Sequence, residues 1–208
     1  MERRDNYAIQ AQSARTLFLG YDQQRLINKF HLQADEKYLY TTMLASPYRI
    51  CRRTGNLERQ VGEEWVDGNS FNETLTLFDV LCDSREDRRL SGVWKSMRDF
   101  GLQFHTGLLE KSKDPTAEAF DREPEILRRG CEVLGGVPMP GADIAYRVEL
   151  CLGLPILVQF WHGDEEFAPR VRYLWDENAT AYIRYETMWY AVNLLLERIN
   201  EFGRRESL

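Results

Sequence analysis

Apolar positions recur along this chain in two periods, and the switch between them marks out its elements. Between Asn6 and Leu19, Tyr7, Ala11, Ala14 and Phe18 fall at helical spacing, and Gly20 closes the stretch. Asp22 is placed to cap a second, short helix presenting Leu26, Ile27 and Phe30. From Lys37 the period drops to two. Tyr38–Met43 is rich in aromatic and β-branched residues, and Tyr48–Arg52 alternates. Thr54-Gly55-Asn56 supplies a turn before Leu57–Val61 alternates again. This pattern predicts an antiparallel hairpin or meander, followed by a loop over Gly62–Asn69. Ser70 with Glu73 three residues on has the form of a capping box, in which each side chain satisfies the other's backbone amide. The helix it opens presents Phe71, Leu75, Phe78 and Leu81.

The middle of the chain is less regular. Asp83–Arg89 carries charges of both signs and reads as an exposed connection. Ser91-Gly92-Val93-Trp94 leads into a short helical stretch with Met97 and Phe100, and Leu102–His105 has the composition of a brief strand. Lys111–Pro115 is the most polar stretch, and any subdivision of the chain would fall there. Asp114-Pro115 fits an N-cap followed by proline at the first helical position. Pro124 begins a further helix carrying Leu127, Cys131 and Leu134, with Gly135 suited to its left-handed C-terminal position. From Asp143 three strands are predicted. Ile144, Tyr146, Val148 and Leu150 alternate with smaller or polar residues, Ile156–Trp161 is apolar on both faces, and Val171, Tyr173 and Trp175 alternate with Arg172 and Leu174. Short connections favour an antiparallel meander. The last helix, about Tyr185–Phe202, shows Trp189, Val192, Leu196 and Ile199 on one face. Helices flanking sheet-rich stretches with hairpin-like connections predict an α+β fold, a mainly antiparallel sheet packed with helices in a single domain over residues 1–208.

Composition narrows the function classes. A chain of 208 residues with 43% hydrophobic and 29% charged positions can bury an ordinary core without staples. The net charge of −6 argues against nucleic acid as a partner. No apolar run is long enough to span a bilayer, and Met1–Arg4 is not followed by a signal-peptide core, so a cytoplasmic location is expected. Cys51, Cys82, Cys131 and Cys151 form no CxxC pair and read as small buried hydrophobes. His31 and His105 read as structural. Arg49, Arg52, Arg53 and Arg59 form the densest basic patch, which is either an anion site or, as we favour, a charged sheet face or edge.

The candidate chemistry lies between the last two strands. Trp161-His162-Gly163-Asp164-Glu165-Glu166-Phe167 brings an imidazole and three consecutive carboxylates between two aromatic rings. His162, Asp164 and Glu166 are a donor set for a divalent cation, or for a general acid or base. Asp143, and Asp176 at the end of the next strand, are further carboxylates for the same place. Trp161 and Phe167 could wall a pocket. The Gly135-Gly136 loop could approach a ligand closely, although no nucleotide-binding glycine pattern accompanies it. The simpler reading makes Gly163-Asp164 ordinary turn chemistry. No nucleophile elbow is present.

Leu134-Gly135-Gly136, Gly141-Ala142-Asp143, Leu154-Pro155-Ile156 and the Trp161–Phe167 turn together resemble a prokaryotic family, domain of unknown function 3786. Ser91-Gly92-Val93-Trp94 and Glu186 add to the likeness. The resemblance implies no particular activity. Some relatives are joined to ferredoxin-like iron–sulfur segments, largely in anaerobes, which implies an iron–sulfur or redox protein partner for a chain lacking those cysteines. The expected function is a small-molecule or cofactor-binding accessory protein of prokaryotic metabolism, of unknown cofactor, with Gly135, Gly136, Asp143, Trp161, Gly163 and Phe167 at its site. The alternatives are a metal-dependent enzyme using His162, Asp164 and Glu166, and a homo-oligomeric interaction module.

Overall fold

The computed structural model of the protein describes residues 2–100 and 114–205. Six helices and ten strands fill these stretches. Helices α1 (Glu2–Gly20) and α2 (Gln23–Phe30) come first, and the Asp22 side chain caps α2 by accepting from the amides of Gln24 and Arg25. Strands β1 (Gln33–Ala34), β2 (Tyr38–Met43), β3 (Ser46–Cys51), β4 (Leu57–Val61) and β5 (Glu64–Asp67) form an antiparallel series leading into α3 (Phe71–Asp83). Strand β6 (Trp94–Ser96) ends in a 3-10 turn over Met97–Phe100. Helices α4 (Pro115–Arg122) and α5 (Pro124–Val133) precede β7 (Val137–Pro138) and the meander of β8 (Ile144–Cys151), β9 (Leu154–Trp161) and β10 (Arg170–Asp176), and α6 (Tyr185–Gly203) closes the fold.

One sheet unites both sheet-rich stretches, in the order β5-β4-β3-β2-β8-β9-β10-β6. Its two halves meet narrowly. The β2–β8 register contains the single pair Met43 and Cys151, supported by the Leu44 amide donating to the Leu150 carbonyl at 2.7 Å. On either side of this junction β1 pairs with β2, and β7 with β8. The interior of β9 explains its apolar run. It lies between β8 and β10, and every residue from Leu154 to Val158 is buried.

One hydrophobic core joins Leu39, Met43, Tyr48 and Ile50 of the first half to Val148, Ile156, Phe160 and Trp175 of the second, with Phe78, Leu127, Leu195 and Ile199 from the helices. Helices α5 and α6 approach closely at Gly130, where a Cβ would lie 2.5 Å from the Ile199 carbonyl oxygen. A buried polar network ties α3, β3 and α6 together. The Tyr48 hydroxyl donates to Glu73 at 2.7 Å, and Arg198 donates to the same carboxylate oxygen at 2.5 Å. Glu73 uses its other oxygen to accept from the Ser70 amide, so the capping box predicted for α3 is present and also serves this network.

Four strands depart from the sequence expectation: β5, β6, and the two-residue β1 and β7, which pair with β2 and β8 where no strand is expected. Glu64–Asp67, expected as loop, pairs with β4 after a tight turn at Gly62, whose φ of 61° is the left-handed conformation glycine adopts freely. Trp94–Ser96, expected as the approach to a helix, pairs with the end of β10. The proposed Leu102–His105 strand, His105 itself and most of the polar stretch near 111–115 lie outside the described residues. Two of the four arginines of the basic patch, Arg49 and Arg59, are paired with carboxylates. Arg49 meets Glu58 at 2.6 Å, Arg59 meets Glu201 at 3.2 Å, and Arg52 donates to the Asp35 carbonyl at 2.7 Å.

Candidate ligand-binding site

The Trp161–Phe167 turn is built as a turn. The Asp164 carboxylate accepts from the Glu166 and Phe167 amides at 2.8 and 2.7 Å, and the Asp164 amide donates to the Phe167 carbonyl at 2.9 Å. Gly163 is needed where it sits, because a Cβ there would come within 2.8 Å of the Pro169 ring. Glu165, Glu166 and Phe167 are exposed, with 69% of Phe167 open to solvent. His162 pairs with a residue that sequence reasoning missed. Its Nδ1 lies 2.8 Å from the Asp121 carboxylate at the end of α4, which also accepts from the Gly163 amide at 3.3 Å. No local signal in the sequence points to Asp121, since the two residues are 41 positions apart.

Asp143 does join the turn, accepting from the His162 amide at 2.8 Å. Asp176 does not. It lies at the far end of β10, fully buried, and accepts from the amides of Ser91, Gly92 and Asn178 at 2.7–3.1 Å. Burial pushes this carboxyl up, but the amides of Asn178, Ser91 and Gly92 outweigh it and hold it below the usual range. Gly135 and Gly136 close α5. Gly135 has φ 70° and donates to the Glu132 carbonyl, and Gly136 donates to the Cys131 carbonyl at 2.7 Å, the paired bonds of a left-handed helix end. Among the described residues no group of three or more His, Cys, Asp or Glu is arranged to hold a metal ion. His162, Asp164 and Glu166 therefore do not converge on one.

A concave site exists beside the turn. Strand β6 pairs only with Leu174–Asp176, so β10 from Arg170 to Tyr173 runs on past it, and the chain leaves the sheet in the 3-10 turn. The Asp176–Ser91–Gly92 hydrogen bonds fix where β6 begins and hence where Trp94 stands. Between this strand segment, whose outer edge is unpaired among the described residues, the start of α4 and α6 lies a cleft of about 850 Å³. Its described lining includes Trp94, Met97, Tyr173, Trp189, Asn193 and Leu196, and it extends to Ala168 and Pro169 at the end of the predicted turn. Arg98, Arg170 and Arg172 also line it. None of Gly135, Gly136, Asp143, Trp161, His162, Gly163, Asp164, Glu166 and Phe167 does. Trp161 touches its border through Arg172, whose guanidinium lies 5.4 Å from the ring centre. A larger hollow of about 1180 Å³ follows α1 and is lined mostly by that one helix.

The family model of a domain of unknown function, DUF3786, matches residues 22–198. The chain belongs to this family. All the described residues lining the β10–α6 cleft fall inside the DUF3786 match, whereas α1 and most of its hollow fall before it. No curated protein and no solved structure matches the chain. Nor is any described helix of this DUF3786 protein long and apolar enough to cross a membrane.

Proposed function

We propose that this DUF3786 protein binds a small molecule in the cleft between β10 and α6, acting as a cytoplasmic accessory protein of prokaryotic metabolism. The observation that carries the reading is the cleft itself. Its volume of about 850 Å³ lies in the range of about 300–1,000 Å³ usual for ligand sites. Its walls combine aromatic and aliphatic side chains with a nearly equal share of charged and polar ones, which can hold and orient a ligand. The reading assigns binding and no reaction. An iron–sulfur or other redox protein remains the partner that the family's joined segments suggest.

Relative to the expectation from sequence, the site moves along β10, away from the turn's carboxylates. The turn borders the cleft and fixes the start of β10, since Asp164 and Asp121 hold the backbone that enters it.

A thermal-shift screen against metabolites, flavins and corrinoids tests this. A ligand at a hundred times its dissociation constant adds about 2.7 kcal/mol, which raises the melting point by roughly 5–10 °C in a chain of this size. The shift is expected to persist in Asp164→Ala and to vanish in Asn193→Trp, where an exposed residue of α6 fills the cleft. A shift lost in Asp164→Ala but retained in Asn193→Trp would place the ligand at the turn instead.

A further inference from the structure

We infer that the ligand of this cleft is an anion, a carboxylate or phosphate carried on an apolar body, with Arg98, Arg170 and Arg172 receiving its charged group. The inference rests on the proposal that the cleft binds a small molecule, and it adds the ligand's chemical class.

Three guanidinium groups from two separate segments gather at one cleft, and among the described residues none forms an ion pair or a hydrogen bond. Arginines packed into the fold are matched, as Arg49 is by Glu58, Arg59 by Glu201 and Arg198 by Glu73. Arg53, Arg89, Arg122 and Arg147 are scattered and unpaired among the described residues, so what sets Arg98, Arg170 and Arg172 apart is that they share one cleft. The carboxylates that share the cleft are already engaged. Asp99 accepts from the Ser96 amide and hydroxyl at 2.7 and 2.8 Å, and Asp114 caps α4 by accepting from the amides of Thr116 and Ala117. The arginines also feel one another. Burial, then the charges of Arg172 and Arg98, lower the basicity of Arg170. A bound anion would relieve this repulsion, and the planar fork of arginine matches both carboxylate and phosphate oxygens.

A second observation comes from the strand itself. The Tyr173 hydroxyl is out of contact with solvent and has no hydrogen-bond partner among the described residues, although such groups are nearly always paired. Tyr173 lies on the opposite face of β10 from Arg170 and Arg172 and packs against the core, so its hydroxyl would meet only the part of a ligand that reaches inward past the strand. The site thus has a cationic mouth, aromatic and aliphatic walls and one unspent polar group within.

Three probes of one shape test the inference by titration calorimetry: 1-naphthyl phosphate, 1-naphthoate and the neutral 1-naphthamide. At least one anion is expected to bind about tenfold or more tightly than the amide, the scale of one charge-assisted hydrogen bond. The tighter of the two anions identifies phosphate or carboxylate as the natural headgroup. Replacing the exposed pair in Arg170→Gln/Arg172→Gln is expected to remove the anion's advantage over the amide. Equal binding of all three probes, with loss in Asn193→Trp, would overturn the anion assignment while sustaining the cleft as a binding site. Binding of none would count against both.

Discussion

Glu73 illustrates how one side chain serves two levels of structure. Its carboxylate closes the capping box of α3 and also faces Arg198, whose side chain is only 10% exposed. Removing it leaves Arg198 with Glu201, at 2.7 Å, as its remaining carboxylate partner and costs about 1–3 kcal/mol. Glu73→Ala is therefore expected to lower the melting point by roughly 2–12 °C in a chain of this length. Adding Arg198→Met should recover part of the loss, because replacing both members of a buried pair is less costly than removing one. No recovery in the double variant, by thermal unfolding, would show that Glu73 acts through the cap alone. The capping box was legible in Ser70 and Glu73 because its partners are three residues apart. Tyr48 and Arg198 were not, since both enter through the fold. Asp121 was missed for the same reason, and His162 was accordingly assigned to the carboxylates beside it in sequence.

At the scale of elements, α3 and the start of α6 are joined by a carboxylate pair. Asp79, buried, accepts from the Arg184 amide at 2.8 Å and pairs with its guanidinium, which also reaches Asp83 at 3.1 Å. Burial, and then the neighbouring Asp79 carboxyl, push Asp83 up to about 6 against the pull of Arg184. A carboxyl raised in the folded state stabilises the fold below its ordinary value near 3.8, and that contribution is lost as pH rises through about 6. Asp83→Asn lacks this loss. Its melting point relative to the parent chain is expected to rise between pH 4 and pH 7.5. A difference independent of pH would contradict the account. Strands such as Tyr38–Met43 and Leu57–Val61 were legible because alternation over five or six residues is a strong signal. The four residues of β5 and the three of β6 are too short to carry it, and only pairing with β4 and β10 makes them strands.

At the scale of the whole molecule, the α+β architecture and the final meander followed from periodicity, whereas the cleft did not. Its lining comes from β6 and the 3-10 turn, α4, β10 and α6, and its arginines stand at positions 98, 170 and 172, so no local window contains it. What the sequence did mark was its frame. Ser91-Gly92 is held by Asp176 where β6 begins, and the Trp161–Phe167 turn leads into β10.

The five tryptophans make the central claim directly measurable. Trp94 and Trp189 line the cleft, and Trp65 lies on β5 at the opposite edge of the sheet. In a titration with 1-naphthyl phosphate followed by the indole N–H resonances, the signals of Trp94 and Trp189 are predicted to move together with one saturating curve while Trp65 stays fixed. Movement of the His162 imidazole with unchanged Trp94 and Trp189 would contradict the cleft and return the site to the turn.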